Sequence, residues 1–436
     1  MVRRGHVSVG RRVLVVGAGP AGVVTAFGLA KEGAEVTIVE REPDVVASPR
    51  ASVYLASTLQ VLEELGLLQE ALSIGAVGYE FNMRFKLTGR IGRMDHRLIL
   101  DLTPYGYSLH FGQHELARMV LRRFLALPHT GVQWNTVFED FEQHPEGVRV
   151  QLSTPQGPKS MDVDWLIGAD GARSSVRAAM GVAFDGFTWP ETFMATNVYY
   201  DFESCGFPFS NMVADGANWH IVARLDRQDH YWRIAYGEGS ELTEEQRRAR
   251  IPGRFATFFP EPKPWQLERA NSYRVHQRCA SSFRVGRVLL AGDAAHATNP
   301  IGGMGFTSGI QDARTLILSL SALMKGEAPD DVLDWYAYER RRIFLEIANP
   351  TAIELKRRTQ ETDPARRLED EANFFKMMDD RQMARGALMS IFALLGRPYR
   401  PDWQDAYVKA DQGKSGSPAT MVLGADAAAR SSHKTT

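Results

Sequence analysis

Arg12-Val13-Leu14-Val15-Val16 runs directly into Gly17-Ala18-Gly19-Pro20-Ala21-Gly22, and the next apolar run, Val36-Thr37-Ile38-Val39, ends on Glu40. The pattern reads as strand, glycine turn, helix, and a second strand closed by an acid. Each part has a physical task in holding a dinucleotide. Gly17 makes the tight turn, Gly19 lets the backbone approach a pyrophosphate, and Gly22 lets the helix lie close to the strand. The helix N-terminus offers free amides and the positive end of its dipole to the phosphates. Glu40 stands near the spacing at which a carboxylate reaches the adenosine ribose diol. An acid there also disfavours a 2′-phosphate, so NADP is a poor occupant of this turn. The motif alone does not separate FAD from NAD.

The chain has 436 residues, enough for two or three domains and a large core. A net charge of −1 argues against nucleic acid or an anionic membrane surface as a partner. Cys205 and Cys279 are the only cysteines. They have neither metal-site nor CxxC spacing, so no metal site is expected and a reducing compartment is. The apolar stretch Val13–Ala30 follows a basic N-terminus, but glycines and a proline interrupt it, and the strand–turn–helix reading accounts for each of them. No segment reads as a transmembrane helix. The expected location is the cytoplasm.

Farther along, residues 57–68 carry leucines at helical spacing. Residues 75–112 read as short strands, with alternation over Tyr79–Leu87, and Gln113–Leu127 returns to helical periodicity. Residues 132–170 read as a β-meander that ends in the buried strand Asp164-Trp-Leu-Ile-Gly168. From about 183 to 275 the chain turns aromatic-rich and β-prone, which reads as an inserted antiparallel sheet. Gly286–Gly292 is again a buried strand of parallel type. Helical patterns follow over 309–324, 331–348, 351–358 and 381–395. The Gly/Ser/Ala/Thr tail from 412 reads as disordered.

Two further segments carry chemistry. Gly168-Ala-Asp170-Gly171-Ala-Arg-Ser174-Ser-Val-Arg177 ends a strand, turns, and opens a basic helix. Asp170 can accept from backbone amides there, and Arg177 can pair with it or with a phosphate. A plain capped helix start reads equally well. In Gly292-Asp293-Ala-Ala-His296-Ala-Thr-Asn-Pro300-Ile-Gly302-Gly303-Met-Gly305, Asp293 stands just past a strand end, where ligands of α/β folds gather. Its carboxylate can accept from a sugar-like hydroxyl. Pro300 fixes one side of a loop whose glycines permit close backbone approach, and a helix starts there.

In this order, the three segments resemble the class A flavoprotein aromatic hydroxylases, the para-hydroxybenzoate hydroxylase family, over roughly residues 11–345. The resemblance implies an α/β fold: a Rossmann-like FAD-binding domain (parallel sheet plus β-meander), an inserted, mostly antiparallel substrate sheet, and a helical C-terminal region. The FAD domain would comprise 1–74, 111–182 and 276–345, the substrate domain 75–110 and 183–275, and the C-terminal helices 346–411. FAD would meet Gly17, Gly19, Pro20, Ala21, Gly22, Glu40, Arg41, Arg50, Gln113, Val137, Asp170, Arg177, Asp293, Pro300, Gly302, Gly303 and Gly305. His296 reads as structural. Relatives commonly carry Asn at Thr307 and Gln at Met304.

A second glycine-rich dinucleotide motif and a redox cysteine pair are both missing from the sequence, so NADH or NADPH would dock transiently. The resemblance implies hydroxylation of an electron-rich aromatic or N-heteroaromatic ring with O2, through a flavin C4a-hydroperoxide. Substrate-pocket candidates on the presumed strands are Tyr199, Asn218, His220, Arg233 and Tyr236. His220 is the expected base or hydrogen-bond partner of a ring hydroxyl, Arg233 a partner for a substrate carboxylate, and Pro300 a neighbour of the reacting ring. An ordinary strand histidine and an in-sheet salt bridge are the plain alternatives for His220 and Arg233. A halogenase, a polyprenyl reductase, a two-component monooxygenase and a non-catalytic FAD holder remain open, as do monomer and homodimer.

Overall fold

Arg12–Val16 lies at the heart of a six-stranded sheet. The order is Arg284–Val285, Val288–Leu290, Trp165–Gly168, Arg12–Val16, Glu35–Val39 and Thr130–Gln133. Only the first pairing is antiparallel. Val13–Val15, Leu166, Ile167 and Val288–Leu290 are fully buried, as in a parallel sheet covered on both faces. The computed structural model describes residues 10–47, 52–226, 229–409 and 411. Arg50 and the expected disordered tail lie outside the described residues.

Two helices cross against this sheet, Pro20–Lys31 and Met304–Lys325. Their approach depends on missing side chains. A Cβ on Gly28 would stand 2.2 Å from Ile317 Cδ1; one on Gly309 would stand 3.2 Å from the backbone of Gly292, in the turn beside both helices.

A second sheet has eight strands, in the order His296–Ala297, Gln266–Ala280, Phe184–Tyr199, Tyr231–Glu238, His220–Arg224, Ser210–Ala214, Glu80–Phe85 and Ile91–Asp95. It is antiparallel except where Ser210–Ala214 meets Glu80–Phe85. The meander Val137–His144, Gly147–Thr154 and Gly157–Val163 forms its own three-stranded sheet. Ala76–Gly78 and Ser108–His110 do not join the eight-stranded sheet; in another small one, Ser108–His110 lies between Val53–Tyr54 and Ala76–Gly78 and pairs with both.

The segment read as all sheet contains a helix, Glu244–Phe258. Thr243 and Gln246 form a capping box at its start, and Ile251, Phe255 and Phe258 bury its inner face against the eight-stranded sheet. Pro364–Asp379 is a second helix that the periodicity did not single out. A π-helical turn, Phe344–Ala348, precedes the helix Asn349–Gln360. The chain divides into two compact units after Gly396; the second contains a short π-helical turn, Gln404–Lys409. No helix among the described residues is long and apolar enough to cross a membrane.

Candidate active site

The three sequence segments converge because their strands are neighbours in register. Val16 pairs with Gly168 and Val39, and Gly168 pairs with Leu290. Gly17, Ala169, Glu40 and Gly292 therefore leave the sheet side by side at the carboxyl ends of its strands. Ladder bonds fix the arrangement: Gly17 N donates to Val39 O (2.8 Å), Ala169 N to Val16 O (2.8 Å) and Ala291 N to Gly168 O (2.9 Å).

The glycine turn has the shape of a phosphate cradle. Gly17 has φ +109°, and a Cβ there would stand 2.4 Å from Ala169 O. One on Gly22 would stand 2.1 Å from Gly17 O, whereas one on Gly19 would meet nothing within 4 Å. The turn is thus closed toward the protein and open at Gly19. Pro20 occupies the first turn of the helix, and Ala21 sets its Cβ against Gly292. The Glu40 carboxylate accepts from Ala18 N (2.8 Å) and Glu42 N (3.1 Å), which holds it in the turn with lone pairs to spare. Arg41 is exposed beside it, and Val137 is exposed one residue beyond Thr136, whose amide donates to Glu40 O. Gln113 opens the helix Gln113–Leu125, which packs on the glycine-turn helix.

The second segment departs from expectation at Arg177. Asp170 caps a short helix, accepting from Ser174 Oγ (2.5 Å) and from the amides of Ser175 and Val176 (2.7 and 3.3 Å). Arg177 makes its hydrogen bonds within the protein. Its guanidinium is buried over the Phe184 ring and donates to Ala294 O and Ala172 O, both at 2.8 Å. It works as a brace between the Asp170 turn and the Asp293 turn.

Asp293 is exposed at the end of Val288–Leu290. Beneath it sits a fully buried ionic cluster that the sequence reading assigned no function. Asp312 accepts from Gly292 N (3.0 Å) and Arg340 Nε (2.7 Å), and its Oδ2 lies 2.6 Å from His296 Nε2. Burial alone would raise the Asp312 pKa; His296 and Arg340 outweigh it and hold the carboxyl below its usual range. His296 stacks on Phe344 with centroids 4.5 Å apart and faces no solvent. After Pro300 the backbone turns through Gly302 (φ +85°) and Gly303 (φ +71°), conformations that suit glycine, and the helix Met304–Lys325 begins. A Cβ on Gly303 would meet only Leu55 Cδ1, at 3.7 Å. Gly305 sits against Thr298, 3.1 Å from where its Cβ would be. Open glycine backbone at Gly19 and Gly303, two helix N-termini and an exposed Asp293 between them suit a long dinucleotide with a charged middle.

This loop lies against one face of the eight-stranded sheet, where Ile301 packs with Phe193, Met83, Met212, Trp219 and Val275. Strand alternation puts Ala195, Asn197, Ile221, Ala223, Arg233, Ala235 and Tyr273 on the same face. The expected base, His220, has the opposite parity. It is buried beneath Glu244–Phe258, stacked on Phe258 at 4.2 Å, with Nδ1 2.9 Å from Asn218 O. Burial drives its pKa down to about 4. Tyr236 lies on that same far face, edge-on to Phe258, and Asn218 accepts from Arg254 of the helix (3.2 Å). Tyr199 stacks on Tyr231 (4.8 Å) at a solvent-exposed strand end, roughly 20 Å along the strand from Phe193. Of the strand candidates, only Arg233 is buried on the loop face. Asn197 Oδ1 accepts from its Nε at 2.9 Å, and burial brings its pKa down to about 10, so it stays cationic at neutral pH.

Comparison with known proteins agrees with this geometry. The family model described as an FAD binding domain matches residues 11–349. The chain is 40% identical to para-nitrophenol 4-monooxygenase of Pseudomonas sp. (strain WBC-3), over 88% of this chain and 96% of that protein. It is 36% identical to 6-hydroxy-3-succinoylpyridine 3-monooxygenase of Pseudomonas putida (strain DSM 28022 / S16), over 84% and 93% of the two chains. The crystal structure of p-nitrophenol 4-monooxygenase from Pseudomonas putida DLL-E4 superposes with a TM-score of 0.86 at 39% identity, covering 89% of this chain and 98% of that one. The chain belongs to the FAD-binding class A flavoprotein monooxygenases, the aromatic hydroxylase family, and FAD is its cofactor.

Proposed function

We propose that the chain is a single-component, NAD(P)H-consuming monooxygenase that hydroxylates a one-ring phenol or hydroxypyridine. The observation that carries this reading is the meeting of the Pro300–Gly303 loop with the sheet face that holds Arg233 and three alanines. Ala195 and Ala235 face each other across two strands, and Ala223 faces Arg233. Small side chains there suit a planar ring laid on the sheet, with Phe193, Ile221 and Tyr273 as its walls. The relatives named above act on a nitrophenol and on a hydroxypyridine, which supports the same class of ring here.

In this reading the Gly17–Gly22 turn holds the pyrophosphate of FAD, Glu40 its adenosine ribose and Asp293 its ribityl chain. Pro300, Gly302, Gly303 and Gly305 lie along its ring system, and Arg41, Gln113 and Val137 flank it. Asp170 and Arg177 act indirectly, by fixing the turns around it. Bound FAD supplies the electrons taken from NAD(P)H and the activation of O2. Arg233 orients an oxygen or an anionic substituent of the substrate by a charge-assisted hydrogen bond. The apolar wall from Met83 to Ile301 keeps water from the reacting carbon.

The test supplies the purified, FAD-loaded protein with NADH or NADPH, labelled oxygen gas, and 4-nitrophenol or a hydroxypyridine. The expected result is stimulated NAD(P)H oxidation with one labelled oxygen atom in the organic product by mass spectrometry. NAD(P)H oxidation with no oxygenated product from any such ring overturns the reading. Turnover only with an added flavin reductase removes its single-component part.

A further inference from the structure

We infer that Gln277 is a positioning residue for the flavin-side loop, setting where Pro300 and its glycines stand relative to the substrate sheet. The inference rests on the reading above of that loop as the FAD ring site. Gln277 is 3% exposed, near the end of Gln266–Ala280. It shares a parity with Tyr273 and Val275, which face the loop. Every polar atom of its carboxamide is engaged. The carbonyl oxygen accepts from Trp189 Nε1 (3.1 Å), Asn299 N (3.1 Å) and Asn299 Nδ2 (3.3 Å). The amide nitrogen donates to Thr298 Oγ1 (2.6 Å), Asn349 Oδ1 (2.7 Å) and, at 3.5 Å, Asn349 O.

These partners come from three places. Thr298 and Asn299 immediately precede Pro300. Asn349 opens the helix that follows the π-helical turn. Trp189 sits where the register of Phe184–Tyr199 breaks, between Thr188 and Thr192. Asn299, fully buried, passes the constraint on: Ile301 N donates to its Oδ1 (3.1 Å), and its Nδ2 donates to Ala352 O (3.0 Å). Trp189 is pinned in turn by Lys356, whose Nζ lies 3.7 Å from the indole ring. One glutamine therefore couples both loop residues before Pro300 to the sheet and to the C-terminal helices. A fully satisfied buried network of this kind specifies one geometry, and a partly satisfied one does not. Among the described residues the Gln277 side chain makes no hydrogen bond to the Gly17–Gly22 turn, so its influence falls on the ring end of the dinucleotide and not on the ADP end.

The experiment strips the full-length protein of flavin and titrates it by calorimetry with FAD and, separately, with ADP. In Gln277→Leu the FAD dissociation constant is expected to rise at least about tenfold, because Asn299 N and Trp189 Nε1 lose their acceptor. The ADP constant stays at its wild-type value. Thr298→Val and Asn349→Ala each remove one acceptor of the same amide and give a smaller rise for FAD alone; they carry the comparison if the leucine variant does not fold. Unchanged FAD affinity in all three variants overturns the inference, and so does an equal loss for FAD and ADP, which marks a general loss of structure. A wild-type chain that takes up ADP but not FAD overturns the parent reading of the loop itself.

Discussion

The two faces of the eight-stranded sheet are built from the same strands and have opposite characters. One is packed solid: Met194, Val198, Val222, Trp232, Ile234 and Tyr236 meet Ile251, Phe255 and Phe258 of the helix Glu244–Phe258. The other meets the Pro300 loop, with alanines at its centre, a buried guanidinium and a wall of larger apolar residues. Adjacent positions such as His220 and Ile221, or Tyr236 and Ala235, are thereby assigned opposite roles. A residue's chemistry is therefore a weaker guide to its function than its parity. His220 is the more reactive side chain, yet it is packed against Phe258, while the small alanines line the face that meets the loop.

The most drastic way to break the comparison is on the packed face. Phe258→Ala removes a ring that is 2% exposed, stacks on His220 and meets Tyr236 edge-on. It should cost ~3–5 kcal/mol of stability, by loss of buried area plus the cavity left behind. Denaturant unfolding followed by circular dichroism measures the loss, and kcat/KM for the phenol, taken well below the unfolding transition, should hold its wild-type value. A collapse of turnover with stability intact would reverse the assignment of the two faces.

His220 sharpens the same comparison through pH. The folded protein keeps this imidazole neutral, its pKa pushed by burial from 6.5 to about 4. As pH falls, the unfolded chain takes up the proton first. The contribution of His220 is complete above pH ~6.5 and is lost progressively down to about 4, a difference of ~3 kcal/mol. His220→Gln should flatten the fall in melting temperature across that interval and leave the pH profile of hydroxylation in place. If the substitution instead removes an ionisation from the kcat/KM profile, His220 faces the substrate after all.

The legible and illegible parts of this molecule differ in where their determinants sit. The glycine turn could be read because its requirements are local: Gly17 and Gly22 each have a backbone oxygen within 2.5 Å of where a Cβ would go, and only glycine fits. The helix Glu244–Phe258 also had local signals, the Thr243–Gln246 box and apolar residues at 251, 255 and 258. Pro252 and Gly253 inside it mask them. The parity of His220 has no local signal, since alternation divides a strand into two sets without saying which set meets the loop. That choice is made by Ile301 and Phe258, distant in sequence. Arg177 is similar: its type and position suit a phosphate, and its partner, Ala294 O, lies 117 residues away. Gln277 has the most scattered partners of these: Asn299, Asn349 and Trp189 lie 22, 72 and 88 residues away.

The finest probe acts on the open face. Arg233→Met keeps an unbranched apolar stem and removes the fork that Asn197 orients. A hydrogen bond to a charged group is worth ~1.5–3 kcal/mol, so kcat/KM for a phenol should fall about 10- to 100-fold. Stability should move far less than in Phe258→Ala, because a buried cation costs solvation that the methionine does not. Arg233→Lys separates charge from geometry: it keeps the cation and loses the planar fork, and an intermediate loss is expected. The contrast lies in the substrate series. If Arg233 orients an oxygen or an anionic substituent, the penalty should shrink toward that of an unsubstituted ring when the substituent is removed. A penalty equal for every ring would place the guanidinium outside the substrate's reach and leave the alanine floor as the feature that marks this face.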